Sequence, residues 1–125
     1  MADAEMTFQF RENPVMRVEI GGVACDVELG NPTFVLAAAE WQRKLEEVAG
    51  GDSGIDKLAA LADEGFAMVS SAVGDEAATE LVGGGNRLNF YRLIDVVRAL
   101  TEVLSSDRSL EAMRGAAEAV STLDE

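Results

Sequence analysis

The chain carries little of the usual equipment of catalysis. It has no histidine, which removes the commonest general base and the commonest zinc ligand together. Its single thiol, Cys25, would need an activating base to serve as a nucleophile, and none stands near it in sequence. The glycine run in "VGGGNR", Val82 to Arg87, invites comparison with phosphate-cradling loops. It lacks the Gly-Lys-Ser/Thr ending of a P-loop and the spacing of a dinucleotide fingerprint, and it follows a helical pattern rather than a strand. A connector and helix stop is the better reading. The acids at Asp26 to Glu28, Asp63-Glu64 and Asp75-Glu76 do not reproduce a calcium-loop spacing. Carboxylates this abundant also fall near one another by chance, so paired acids for glycoside chemistry do not follow from their number. No catalytic, cofactor-binding or metal-ligating set is read here, and the expectation is a protein that binds rather than catalyses.

Charge narrows what it could bind. Acidic residues number 23 against 10 basic ones, for a net charge of −13. That balance opposes contact with nucleic-acid phosphates or anionic lipid, both of which need compensating Lys and Arg. It favours solubility and suits a basic partner. No apolar run approaches the roughly 20 residues of a membrane span. The opening "MADAEMTF" lacks the basic and apolar regions of a signal peptide, and a single cysteine leaves no internal disulfide framework. A reducing cytoplasm fits this pattern best. At 125 residues, one domain spanning 1–125 is expected.

The elements that must position any binding surface begin with "MRVEIGGVACDVELGNP", Met16 to Pro32. A tight turn at Gly21-Gly22, a pair that readily supplies positive φ, sets Ile20 opposite Val23, Val18 opposite Cys25 and Met16 opposite Val27. All of these apolar side chains then share one face, because strand side chains alternate. Arg17 faces Asp26 on the other side as an opposite-charge pair. The hairpin spans about 15–29. Upstream, "TFQF" alternates as well, with Phe8 and Phe10 on one side, and reads as a third strand or an ordered arm set off by Asn13-Pro14. A bare hairpin is marginal in water, so its apolar face must cover the helices that follow.

Those helices are expected over about 32–48, 55–73, 75–82, 87–104 and 107–120. Asn31 caps the first and Pro32 suits its first position. Phe34, Ala38, Trp41, Leu45 and Val48 form its stripe, and Glu40 with Lys44 makes a favourable i,i+4 pair. The second presents Ile55, Leu58, Ala62, Phe66, Val69 and Val73, with Leu61 and Met68 broadening the stripe. Gly65 inside it costs about 1 kcal/mol relative to Ala, and either permits close helix approach or marks a weak point. Asp75 can cap the third helix, which shows Ala78, Leu81 and Val82. Asn86 or Asn89 starts the fourth, whose polar Arg92, Asp95, Arg98 and Glu102 leave most of its circumference apolar. Ser106 or Asp107 caps the fifth, with Leu110, Met113, Ala117 and Val120 on a thin apolar edge. The fold class is α+β and mainly helical, an N-terminal hairpin packed on four to five helices. Trp41, Phe66, Phe90 and Tyr91 fit core stripes, and Tyr91, with a polar tip beside Arg92, is the one placed to reach the surface.

This order of elements resembles the tail assembly chaperones of long-tailed phages and prophages. The resemblance is carried by "VEIGGVACDVELGNP", whose Val18-x-Ile20-x-Gly22 fits a V-x-I-x-G hairpin, and by the helix end "EWQRKLEEV". "FAMVSSAVGDEAATELVGGG" follows, with Gly74, Leu81 and Gly83 closing a short helix in slightly altered spacing, and then "FYRLIDVVRALTEVL". It covers about Met16 to Leu104 and consists of glycine turns and apolar spacing, with no catalytic signature. The resemblance implies a non-enzymatic role in the cytoplasm of a bacterial host. Such chaperones bind the long, helical tape-measure protein, keep its apolar surface soluble and leave as the tail tube polymerises. Some of their genes also yield a frameshifted, extended product.

A holdase needs exposed apolar surface and solubility but no specific chemistry. Tyr91 and the edge formed by Leu110, Met113 and Val120 are the candidate partner-binding residues, and a homo-oligomer interface would use the same features. Three other readings compete, one of them an unrecognised enzyme, which would need a concave pocket with perturbed carboxylates. An acidic inhibitor that imitates DNA would follow from the charge of −13, and a small oligomeric structural protein of the virion would follow from the same resemblance.

Overall fold

The computed structural model describes residues 5–51 and 54–123. Strands β1 (Val15–Ile20) and β2 (Val23–Glu28) form an antiparallel hairpin. Its register pairs Ile20 with Val23, Val18 with Cys25, Arg17 with Asp26 and Met16 with Val27, as the alternation requires. Gly21 and Gly22 take φ of 58° and 84°, the left-handed conformation that matches a two-residue turn to strand twist. Arg17 Nη1 donates to Asp26 Oδ1 at 3.0 Å on the exposed face. One further rung, Leu29 N–H to the Pro14 carbonyl at 2.8 Å, closes the open end of the hairpin. The sheet ends there. Residues 7–14 form no strand, and Phe8 and Phe10 stand 81% and 99% exposed. The third strand expected over "TFQF" is therefore not formed among the described residues. Pro14 has no N–H with which to carry the ladder upstream.

Helices α1 (Pro32–Ala49), α2 (Ile55–Val73), α3 (Asp75–Val82), α4 (Phe90–Leu104) and α5 (Asp107–Leu123) follow. Helices α1, α2 and α4 pack on one another, β2 lies over α2 and α3, and α5 rests on α4. Apolar side chains from both strands and from α1 to α4 join in one core, which Ala112 of α5 flanks. Leu93, Val97, Leu100 and Leu104 of α4 are fully buried in it, each such side chain contributing about 1.5–3 kcal/mol. Their polar neighbours Arg92, Asp95, Arg98 and Glu102 face solvent. Among the described residues, no helix is long and apolar enough to cross a membrane.

Asn31 Oδ1 accepts the Phe34 N–H at 3.1 Å, and Asn89 Oδ1 caps α4 by accepting the Arg92 N–H at 3.1 Å. Helix α4 thus begins three residues later than expected, after a single 3-10 turn over Gly85–Arg87. Gly74, rather than Asp75, is the N-cap of α3 and makes no side-chain cap bond. With α2 ending at Val73, that one residue serves as the stop of one helix and the start of the next. The Glu40–Lys44 pair is not made. Arg43 takes both Glu40 and Glu47, leaving Lys44 to reach Glu64 of α2 at 3.2 Å.

The α2 stripe packs on the core through Leu61, Ala62, Phe66, Met68, Val69 and Val73, and its first turn departs from expectation, with Ile55 78% exposed. Its most buried line is Leu61, Gly65 and Val69. A glycine lies at the centre because Trp41 of α1 occupies the space a side chain would need. A Cβ on Gly65 would stand 2.7 Å from Trp41 Cζ2 and 3.0 Å from Leu93 Cδ2. The indole is itself fixed, its Nε1–H donating to the Leu61 carbonyl at 2.8 Å. Gly65 therefore marks close helix approach, the first of the two meanings its position allowed.

Candidate functional site

Helix α5 is seated by a bond between distant parts of the chain. The Gly30 N–H donates to Ser109 Oγ at 3.1 Å across a sequence separation of 79 residues, and Ser109 is the one buried polar residue among the described residues. Its own N–H points at Ser106 Oγ, 3.4 Å away, so Ser106 rather than Asp107 caps this helix. Gly30 has φ of 81°, and a Cβ placed there would stand 3.7 Å from Met113 Cγ and 3.8 Å from Ala112 Cβ. Those are ordinary contact distances, so it is the positive φ that calls for glycine where α5 meets the junction between β2 and α1.

That seating leaves an apolar groove between α1 and α5. Pro32, Val35 and Leu36 form one wall, Leu110 and Met113 the other, and Leu104 and Ser105 the floor, around a volume of about 280 Å³. Leu104 is wholly buried, but Leu36 is 72% exposed and Leu110 is 38% exposed. The α5 wall alternates sign along its outer face, with Asp107, Glu111 and Glu118 interleaved with Arg108 and Arg114. The surface so built is apolar within and charged at its edges, the arrangement of a protein-recognition patch.

Of the residues singled out in the sequence, Leu110 and Met113 come together here. Tyr91 is 84% exposed at the start of α4 and is not part of the groove lining. Ala117 is exposed, and the side chain of Val120 lies outside the described ones. Leu36 was missed. It is a large apolar residue off the Phe34–Ala38–Trp41 stripe of its own helix, and that misplacement is the signal that could have found it.

Other concave regions mix apolar with charged side chains. One lies between α1 and α2, lined by Lys44, Glu47, Lys57 and Glu64 together with Val48, Ala60 and Leu61, around about 400 Å³, with Lys44 already paired to Glu64. Another, of about 440 Å³, is bounded by Gln42, Asp95, Arg98 and Glu102. Cys25 is buried. Burial, reinforced by the nearby Asp26 carboxylate and only partly offset by Arg17, pushes its thiol above the ordinary cysteine range. At neutral pH it is a protonated core side chain, the opposite of the depressed state that activates a nucleophile. Among the described residues, no group of three or more His, Cys, Asp or Glu side chains is placed to hold a metal ion. The hydrogen bond from Arg43 to Glu40 holds that carboxyl below the usual carboxylate range, and both groups are exposed on the helix surface.

No protein-family profile, curated protein or solved structure matches this chain.

Proposed function

We propose that this protein acts by binding alone, as a tail assembly chaperone of a phage or prophage that receives an apolar helical face of the tape-measure protein in the groove between α1 and α5. The observation that carries the reading is the exposure of Leu36 and Leu110 over the buried floor of Leu104. Anchors spaced i, i+3 or i+4 along one face of a helix insert into grooves of this kind. The net charge of −13 keeps such a binder soluble while its partner is held, and the work takes place in the cytoplasm of the bacterial host.

The test is co-expression with the helix-rich tape-measure protein encoded downstream, followed by pull-down at low and high salt. Soluble association that survives high salt, and that Leu36→Glu abolishes, is the expected outcome. Leu36 is largely in solvent, so the charge disturbs the groove without entering the core. No association, or association indifferent to Leu36→Glu, refutes the proposal.

The acidic surface favours a second reading, an inhibitor that imitates DNA. Asp75, Glu76 and Glu80 of α3 are all exposed and would face a basic protein. Affinity of that kind falls steeply as salt rises, so the same pull-down separates the two.

A further inference from the structure

Two segments leave the body side by side with nothing laid over them. Residues 5–10 are exposed throughout, with Phe8 and Phe10 at 81% and 99%. Among the described residues, no backbone hydrogen bond holds 7–13 to the body. In α5, Arg114 to Glu118 is likewise exposed. Both segments depart from one point, since a Cβ on Gly30 would stand 3.9 Å from Asn13 Oδ1 and 3.7 Å from Met113 Cγ. Met113 is part of the groove wall, so the arm is rooted at the edge of the groove. The spacing matches as well. From Asn13 to Phe10 the extended chain reaches about 10 Å. Leu36 lies five residues beyond the cap Asn31, about 7–8 Å along α1. Phe10 therefore reaches the space between the exposed Leu36 and Leu110, above the buried Leu104. Phe8 stands on the same side of an extended arm, two residues further out.

We infer that the arm is a strap that closes on the groove of its own chain, with Phe10 seated between Leu36 and Leu110 and Phe8 across the groove's outer end. The structure holds the open form. A tether this short gives the arm an effective concentration in the millimolar range. That exceeds the concentration of any second copy at working dilution, so the chain's own arm is the occupant. Burying the two rings favours closure by about 100–10,000-fold, and fixing the residues that carry them takes back a factor of comparable size. Open and closed forms are accordingly populated within about tenfold of each other. A strap so balanced shields Leu36 and Leu110 while the groove is otherwise free, and gives way to a partner. Affinity for a client is then lowered by the fraction of chains that stand open. This competitive role rests on the groove being the client site, whereas closure itself does not.

The test is methyl NMR of the full chain with labelled Leu and Val, comparing the wild type with Phe8→Ser combined with Phe10→Ser. Both positions are exposed in the open form, so the substitutions leave the body intact. In the wild type the Phe10 ring should show NOE contacts to the Leu36 and Leu110 methyls. The double substitution should shift those methyls and leave Leu81 and Leu93 of the core unmoved. The contacts should be independent of protein concentration. Absent NOEs, with groove methyls indifferent to the substitutions, overturn the strap. So do contacts that appear only as concentration rises, which assign the ring to a second copy. These readouts need no client, so failure of closure and failure of the chaperone reading are told apart. With the tape-measure protein, the arm variant should bind about 2–10-fold more tightly than the wild type. Equal affinity overturns the competitive role. Binding by neither form refutes the chaperone reading, and the methyl contacts still decide closure.

Discussion

Replacing Gly65 by alanine should destabilise this protein, against the general preference of helices. In an open helix the exchange gains about 1 kcal/mol. Here the new methyl carbon would lie 2.7 Å from Trp41 Cζ2 and 3.0 Å from Leu93 Cδ2, well inside contact distance. Overpacking of a tight core costs about 1–3 kcal/mol. If the indole turns aside, its Nε1–H also loses the Leu61 carbonyl, now 2.8 Å away, and a buried unpaired donor costs about 1–3 kcal/mol more. The net loss centres near 3 kcal/mol, a fall in Tm on the order of 10 °C for a chain of this size. Trp41 is the only tryptophan, so urea denaturation followed by its fluorescence reports on the contact itself, with far-UV circular dichroism as the global probe. Gly115→Ala is the control. Nothing lies within 4 Å of a Cβ at that position in α5, and this exchange should stabilise by about 0.5–1 kcal/mol. A cycle with Trp41→Phe should show favourable coupling with Gly65→Ala of about 1 kcal/mol or more. Stability of Gly65→Ala equal to or above the wild type would refute the packing argument.

Three further outcomes follow from the same geometry. Val18→Asp places a carboxylate on the covered face opposite Cys25 and should cost several kcal/mol; a cooperative melt near that of the wild type contradicts this. Ser109→Ala strips the acceptor from the half-buried Gly30 N–H and should cost about 1–2 kcal/mol, read locally as faster amide hydrogen exchange at Gly30 and the first turn of α5. Unchanged protection there means that other contacts seat the helix. The raised Cys25 pKa makes the folded state hold its proton more tightly than the unfolded chain. Its stabilising effect is thus complete below about pH 8.5, the ordinary thiol value, and is lost as pH rises towards the folded value. Denaturant midpoints should fall between neutral pH and about pH 9.5, and Cys25→Val should remove that part of the slope.

The hairpin was fully legible because period-two alternation and a Gly-Gly turn fix register together: a one-residue slip would move Val18 and Met16 to the wet face. Helix order was legible for a similar reason, since Asn31, Gly74 and Asn89 punctuate apolar runs of helical period. The exposure of Ile55 was not, since it lies in the first turn at the end of the apolar period. Gly65 was legible only as a choice between two meanings, because a glycine contributes by absence and the Trp41 and Leu93 that need its space come from other helices. The groove was half legible. Leu110 and Met113 stand out on a thin edge of α5, but the facing wall comes from Leu36, more than seventy positions earlier, and no local period encodes which helices become neighbours. "TFQF" has the alternation of a strand, yet neither edge of the two-stranded sheet pairs with it, and which edge a segment joins is a property of the whole fold.

The bond between Gly30 and Ser109 also sets an order in time. At synthesis rates of about 5–20 residues per second, the 79 residues that separate these partners take on the order of 4–16 s to be made. Hairpins form in about 1–10 μs and short helices faster still, so β1, β2 and α1, once α2 to α4 have emerged to cover them, still wait for α5. During that interval one wall of the groove stands without the other. Recognition through the groove is accordingly a property that the nascent chain acquires late, and a ribosome stalled between α4 and α5 would display a folded hairpin that binds nothing there.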